Sequence, residues 1–107
     1  MDNILKEFEL ACPSCGNPNL HHEKVAVFDR AEEDSLNGLH VSIHRRKVCV
    51  DESMNSNPSS RRNGMIVYFN CEHCEKITSL TISQHKGTTY LNQQIGRTRS
   101  RFPEEGL

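Results

Sequence analysis

The sequence predicts a mostly β protein built on a small antiparallel sheet, with little or no helix. Apolar and polar residues alternate with period two in residues 39–44 and 77–83, which is typical of strands with one buried face. Turn signals lie beside these runs, at Asn37-Gly38 and His85-Lys86-Gly87. Two Cys-x-x-Cys pairs frame the strand-rich middle of the chain.

The elements follow from this pattern in chain order. Residues 22–29 are rich in β-branched and aromatic side chains, and residues 65–69 are apolar on both faces, which favours a central strand. After Lys47 the apolar phase changes to Val48 and Val50, so either a bulge near Arg46 or a new strand is expected. The polar residues 51–64 are expected to form the longest loop.

The 107 residues correspond to one domain, with 24 Leu, Ile, Val and Phe residues and no Trp. Because so few large apolar groups build only a small core, a structural metal is expected to supply stability. We expect a β domain over residues 1–96 and a C-terminal tail over residues 97–107.

The first residues show neither a basic segment nor a long apolar run, so no signal peptide is expected. The longest apolar stretch, residues 65–69, is too short to span a membrane. We therefore expect a cytoplasmic protein with no membrane partner, in which paired cysteines bind metal rather than form disulfides.

The candidate metal ligands are the four paired cysteines. Two Cys-x-x-Cys turns present four thiolates, which is the ligand set that tetrahedral zinc prefers. Pro13 and Gly16 suit a tight turn around the first pair, whereas Glu75 follows the second pair and suits it less well. A shell of four protein sulfurs leaves no open position, so the expected Zn²⁺ is structural. The predicted ligands are Cys12, Cys15, Cys71 and Cys74.

These two cysteine pairs and their flanking strands resemble the zinc-ribbon superfamily. The resemblance covers about a third of the chain and implies a metal site without specifying a function. The spacing differs, since 55 residues separate the pairs here against roughly 15–20 in compact four-cysteine sites. The ribbon is therefore expected to contain an inserted β-element over about residues 20–64.

Three alternatives to zinc remain: a rubredoxin-like iron site, a thioredoxin-style redox pair, and disulfides. The fifth cysteine, Cys49, is expected to be a small buried hydrophobic residue.

The chain shows no positive sign of an active site, and no enzyme activity or small-molecule substrate is expected. The acidic residues 32–34 are adjacent in one polar loop, whereas paired catalytic carboxylates converge from separate elements. His40, His44 and His73 are expected to be surface histidines.

Two binding roles remain open. One is a regulatory or adaptor protein that binds a protein partner, including a homodimer formed through an edge strand. The other is nucleic-acid binding, because residues 38–107 carry a net charge of +4 and residues 1–37 a net charge of −5. The candidate nucleic-acid contacts are Arg45, Arg46, Lys47, Arg61, Arg62, Arg97, Arg99 and Arg101.

Overall fold

The computed structural model describes residues 8–33 and 35–98, which form one six-stranded antiparallel sheet and contain no helix. The predicted fold class, mostly β with an antiparallel sheet, is confirmed. The strands are β1 (Leu20–Arg30), β2 (Asn37–His44), β3 (Lys47–Ser53), β4 (Gly64–Cys71), β5 (Lys76–His85) and β6 (Thr88–Thr98).

The strands are ordered β3-β2-β1-β4-β5-β6 across the sheet. The central pair, β1 and β4, is the only neighbouring pair in this sheet that is not consecutive in sequence. On one side β1 continues into β2 and β3, and on the other β4 continues into β5 and β6. The sheet therefore consists of two meanders joined along β1 and β4, and each meander ends in an edge strand.

Two tight hairpins set the register of the outer strands. His44 pairs with Lys47, so β2 and β3 are joined by Arg45 and Arg46 alone, with φ values of 54° and 66°. Lys86 and Gly87 join β5 to β6 with φ values of 51° and 81°. Positive φ at both turn residues is the type I′ geometry that matches strand twist. The phase change after Lys47 thus marks a new strand, and the predicted turn at residues 85–87 is confirmed.

One face of the sheet is covered in part by a segment of the same chain. The segment of residues 54–63 folds over β1 and β4, where Met54 packs on Ala26, Phe28 and Ile66 in the core cluster. The approach is close, because a Cβ atom on Gly64 would lie 2.7 Å from the Pro58 Cγ atom. The prediction of a loop over residues 51–64 is wrong at both ends, since residues 51–53 belong to β3 and Gly64 begins β4.

The opposite face, which we call the apolar face, has a different composition. Two rows of directly paired residues cross all six strands, and eleven of their twelve side chains are apolar. The first row is Val48, Ile43, Val25, Val67, Leu80 and Gln93, and the second is Val50, Val41, Val27, Met65, Ile82 and Leu91.

Strand β6 runs through Thr98 and so includes the first two residues of the expected tail, and residues 99–107 lie outside the described part. Among the described residues there is no helix that is long and apolar enough to cross a membrane.

Ser59 gives a test of how the 54–63 segment is held. Its hydroxyl donates to the Gln84 carbonyl oxygen at 2.7 Å and accepts from the Arg62 amide at 2.9 Å, and the residue is only 4% exposed. We expect Ser59→Ala to lower the free energy of unfolding by about 1–3 kcal/mol, because it leaves buried polar groups without partners. Urea denaturation measures the change. The matched control is Ser60→Ala, an exposed neighbour, for which a loss of similar size would contradict the prediction.

Candidate metal centre

Two similar turns carry the four paired cysteines. The first knuckle (residues 12–16) precedes β1, and the second knuckle (residues 71–75) joins β4 to β5. In the first, the Gly16 amide donates to the Cys12 carbonyl oxygen at 2.8 Å. In the second, the Glu75 amide donates to the Cys71 carbonyl oxygen at 3.1 Å. The chain thus folds the same five-residue turn twice from different sequences.

Both knuckles need a left-handed residue after the second cysteine. Gly16 has a φ of 83° and Glu75 a φ of 61°. Glycine adopts this conformation without strain, whereas a residue with a Cβ atom is disfavoured by roughly 1–2 kcal/mol. The second knuckle therefore forms with a residue that disfavours the left-handed conformation, as the sequence predicted from the absence of a glycine after Cys74.

Strand pairing places the second knuckle beside the start of β1. Cys71 pairs with Leu20 at the end of the β1–β4 ladder, and the Glu72 amide donates to the Asn19 carbonyl oxygen at 3.0 Å. The first knuckle is tied back by the Cys12 amide, which donates to the Asn17 carbonyl oxygen at 2.9 Å. Backbone hydrogen bonds alone thus bring together cysteines that are far apart in sequence.

The four predicted ligands form one cluster. The sulfur atoms of Cys12, Cys15, Cys71 and Cys74 all lie within 4.8 Å of one another. Cys12 Sγ lies 3.7 Å from Cys74 Sγ, and Cys15 Sγ lies 3.5 Å from Cys71 Sγ. These separations exceed the roughly 2.05 Å of a disulfide. A tetrahedral ion with metal–sulfur bonds of about 2.3 Å has sulfur–sulfur edges of about 3.8 Å. The cluster therefore fits a four-thiolate metal ion and argues against disulfides.

The cluster is buried on one side and exposed on the other. Cys71 and Cys12 are 0% and 2% exposed, Cys74 is half-buried, and Cys15 faces solvent. The Ser14 amide lies 3.4 Å from Cys12 Sγ, and the Cys74 amide lies 3.5 Å from Cys71 Sγ. Each knuckle thus directs an amide N–H group at its first sulfur, an arrangement that stabilises thiolates.

The thiols differ in acidity. Burial alone raises the pKa of Cys71, but the Cys74 and His73 amides and the neighbouring thiols outweigh it and lower the pKa to about 6. The Asn17 amide lowers the pKa of Cys15, whereas desolvation and the other three thiols raise it to about 12. Without a cation, the cluster therefore concentrates negative charge on Cys71 and keeps Cys15 protonated near neutral pH.

The number of sulfur ligands decides what role a bound metal ion can have at this site. A divalent cation bound to all four sulfurs has no vacant position for water or substrate, so its role is structural. His73 is exposed and is not part of the cluster. The four cysteines are therefore a candidate metal centre that links the two knuckles.

The prediction that the fifth cysteine, Cys49, is a small buried hydrophobic residue is wrong. Cys49 is exposed, because it lies on the edge strand β3 and on the face opposite the apolar one. The apolar residues on either side of it, Val48 and Val50, point to the apolar face.

Two histidines have carboxylate partners that the sequence pattern did not indicate. His40 Nδ1 lies 3.0 Å from Asp51 Oδ1, and its ring stacks on Phe28 with centroids 4.3 Å apart. His44 Nε2 lies 3.0 Å from Glu23 Oε2, and both side chains are largely buried. Each histidine thus lies against a carboxylate from a neighbouring strand, and strand pairing rather than sequence proximity creates both pairs.

The candidate nucleic-acid contacts lie in separate places. Arg45 and Arg46 form the β2–β3 turn, near the knuckle end of the sheet, where His44 pairs with Lys24. Arg61 and Arg62 lie at the other end, where the Arg62 carbonyl oxygen accepts from Arg30 Nε at 3.1 Å. Lys24 and Arg30 are six positions apart along β1, which is about 20 Å of strand.

Several of these cations also contact carboxylate groups. Arg61 and Arg62 both contact the Glu33 carboxylate, at 3.2 and 3.4 Å, and Arg45 Nε lies 3.6 Å from Glu23 Oε2. Lys47 is exposed at the start of β3. Arg97 is described only as part of the β6 backbone, and Arg99 and Arg101 lie outside the described residues. The described candidates therefore do not form one continuous basic face.

Comparisons of the chain with protein-family models, with curated proteins and with solved structures gave no match. The likeness to zinc ribbons thus depends on the four-cysteine arrangement alone.

Gly16 allows a test of the knuckle geometry. No atom lies within 4 Å of a Cβ atom built on Gly16, so Gly16→Ala acts through left-handed strain and not through a clash. We expect a loss of about 1–2 kcal/mol in the free energy of unfolding, and faster loss of metal to a chelator.

The matched control is Gly87→Ala, in the β5–β6 turn, where φ is 81° and the space is also open. It is expected to lower stability similarly while leaving the rate of metal loss from the folded protein unchanged. Equal metal loss in both variants would show that the first knuckle does not depend on Gly16.

Proposed function

We propose that this protein is a structural-zinc module whose zinc holds the central strands of a sheet that binds a protein partner. The observation that carries the proposal is the cluster of four sulfurs within 4.8 Å, formed by two knuckles at one end of the sheet. A zinc ion there links the start of β1 to the end of β4.

Zinc is favoured by the donor set and by the size of the core. Tetrahedral sites with four sulfurs take zinc or iron. Zinc has no redox chemistry and is the usual structural ion of closed four-cysteine sites. Since the core cluster contains only a few buried residues, metal binding is expected to supply a large part of the folding free energy.

A protein partner is favoured over nucleic acid by the apolar face and by the placement of the candidate basic residues. The apolar face spans the whole sheet and has no charged residue in its two rows. Arg45 lies at one end of the sheet and Arg61 and Arg62 at the other, and each of the three contacts a carboxylate. Apolar area free of charge is typical of the centre of a protein–protein interface.

The zinc assignment makes a direct prediction. Protein purified without added metal should contain about one zinc per chain by elemental analysis. Cys71→Ser should abolish metal binding and unfold the chain, because it removes the buried ligand at the end of β4. Circular dichroism and zinc content measure the two effects.

Cys49→Ser is the matched control, since Cys49 is exposed and lies outside the sulfur cluster. It should keep full zinc content and normal stability. A stoichiometric iron signal, or a fully folded protein after removal of metal, would contradict the assignment.

The nucleic-acid alternative has its own test. We expect no retention of the zinc-loaded protein on heparin or duplex DNA at low salt, because the described candidate contacts are dispersed and Arg45, Arg61 and Arg62 contact carboxylates. Binding that weakens steeply as salt rises would instead support phosphate contacts, and loss of that binding in Arg61→Ala would locate them in the 54–63 segment.

A further inference from the structure

The apolar face of the sheet has no second layer among the described residues. Domains normally pack two layers of secondary structure around one core, and the 54–63 segment supplies a partial layer only on the opposite face. The first knuckle reaches one end of the apolar face, where Gln93 Nε2 donates to the Ala11 carbonyl oxygen at 3.1 Å. Five of the eleven apolar side chains in the two rows are exposed, with Leu91 and Val50 at 65% and 60%, and the other six are half-buried.

The area of this face is sufficient for a stable interface. Six strands spaced about 4.8 Å apart span roughly 29 Å, and two rows of alternate residues take about four residues, or roughly 13 Å, along each strand. Two such apolar patches bury about 750 Å² together, and the polar residues that flank them on the same face, as a rim, bring the total toward the roughly 1,200 Å² of the smaller specific protein–protein interfaces. Isolated exposed apolar residues are common on monomers, but a continuous patch of this size marks an interaction surface.

The shape and charge of the face favour a second sheet as its occupant. The face is broad, so a single bound helix or strand would leave most of the exposed width uncovered. Its two rows contain no cation, which argues against an anionic membrane surface. Residues 1–7 and 99–107, outside the described part, hold only five apolar side chains of comparable size, against eleven in the two rows.

We propose that two copies of this chain pack their apolar faces together, forming a two-layered β-sandwich with a two-fold axis. Aligned sheets pack about 10 Å apart with interdigitating side chains, and a two-fold axis lets the same patch serve both partners. A net charge of −1 gives little repulsion between copies. This inference deepens the proposed function, because it names the partner of the interaction module as a second copy.

The test uses sedimentation equilibrium of the full, zinc-loaded chain over a wide range of concentrations. The wild type should reach the mass of two chains. The double variant Val50→Lys with Leu91→Lys places a cation near each end of the apolar face. Both positions are already exposed in the single chain, so the fold should be retained. We expect the dimer dissociation constant to rise by about a hundred-fold or more, because the charges would be buried unpaired.

The matched control is Cys49→Lys with Asn92→Lys, which adds the same charge to the adjacent residue of each strand, on the opposite face. Its dissociation constant should stay near that of the wild type. Equal weakening in both variants, or weakening in neither, would overturn the face-to-face arrangement in favour of an edge-strand dimer.

Zinc content and circular dichroism of the same samples separate this inference from the proposed function. A folded wild-type monomer with one zinc at every concentration would overturn the dimer while leaving the structural zinc intact. A folded dimer without zinc would overturn the metal assignment and leave the dimer standing.

Discussion

The pairing of β1 with β4 is the constraint on which the rest of the structure depends. These strands are separated by β2, β3 and the 54–63 segment, so their pairing closes a long loop at an entropic cost that local hairpins avoid. The two knuckles lie at the open end of this pair, where Leu20 meets Cys71. A metal ion held there crosslinks the chain before β1 to the end of β4 and offsets that cost. The two outer hairpins then add to a central pair that is already fixed.

The electrostatics of the knuckles agree with this role. Cys71 is completely buried, yet nearby amides and thiols lower its pKa to about 6. The Cys12, Cys15 and Cys74 sulfurs surround it. A cation bound by all four sulfurs takes the place of the protons on the remaining thiols. The surroundings of Cys71 therefore favour the thiolate form that a metal ion binds.

Local signals in the sequence predicted the strands and the metal ligands. Period-two alternation identified β2 and β5, and the Lys86-Gly87 turn followed from its glycine. The sequence does not distinguish a bulge from a new strand at Arg45 and Arg46, because arginine is atypical at positive φ. Residues 51–64 look like a mobile loop because they are polar. Yet Ser59 is buried there, since hydrogen bonds from its neighbours satisfy its hydroxyl.

The same alternation misleads about burial. Leu39, Val41 and Ile43 indicate a strand with one face in a core, but Leu39 and Ile43 remain about half exposed. Alternation reports which residues share a face and carries no information about what lies against it. The four cysteines are limited in the same way. They predict a metal site, but they do not indicate what binds to the sheet.

The candidate metal centre and the apolar face are connected through the central strands. Four of the twelve residues in the two rows, Val25, Val27, Met65 and Val67, belong to β1 and β4, and they occupy the middle of the face. Under the proposed function, loss of the metal would free the knuckle end of that pair and weaken the backbone pairing that aligns the middle of the face. Register decides which side chains share a face, so binding by the apolar face would then depend on a metal ion that carries out no chemistry itself.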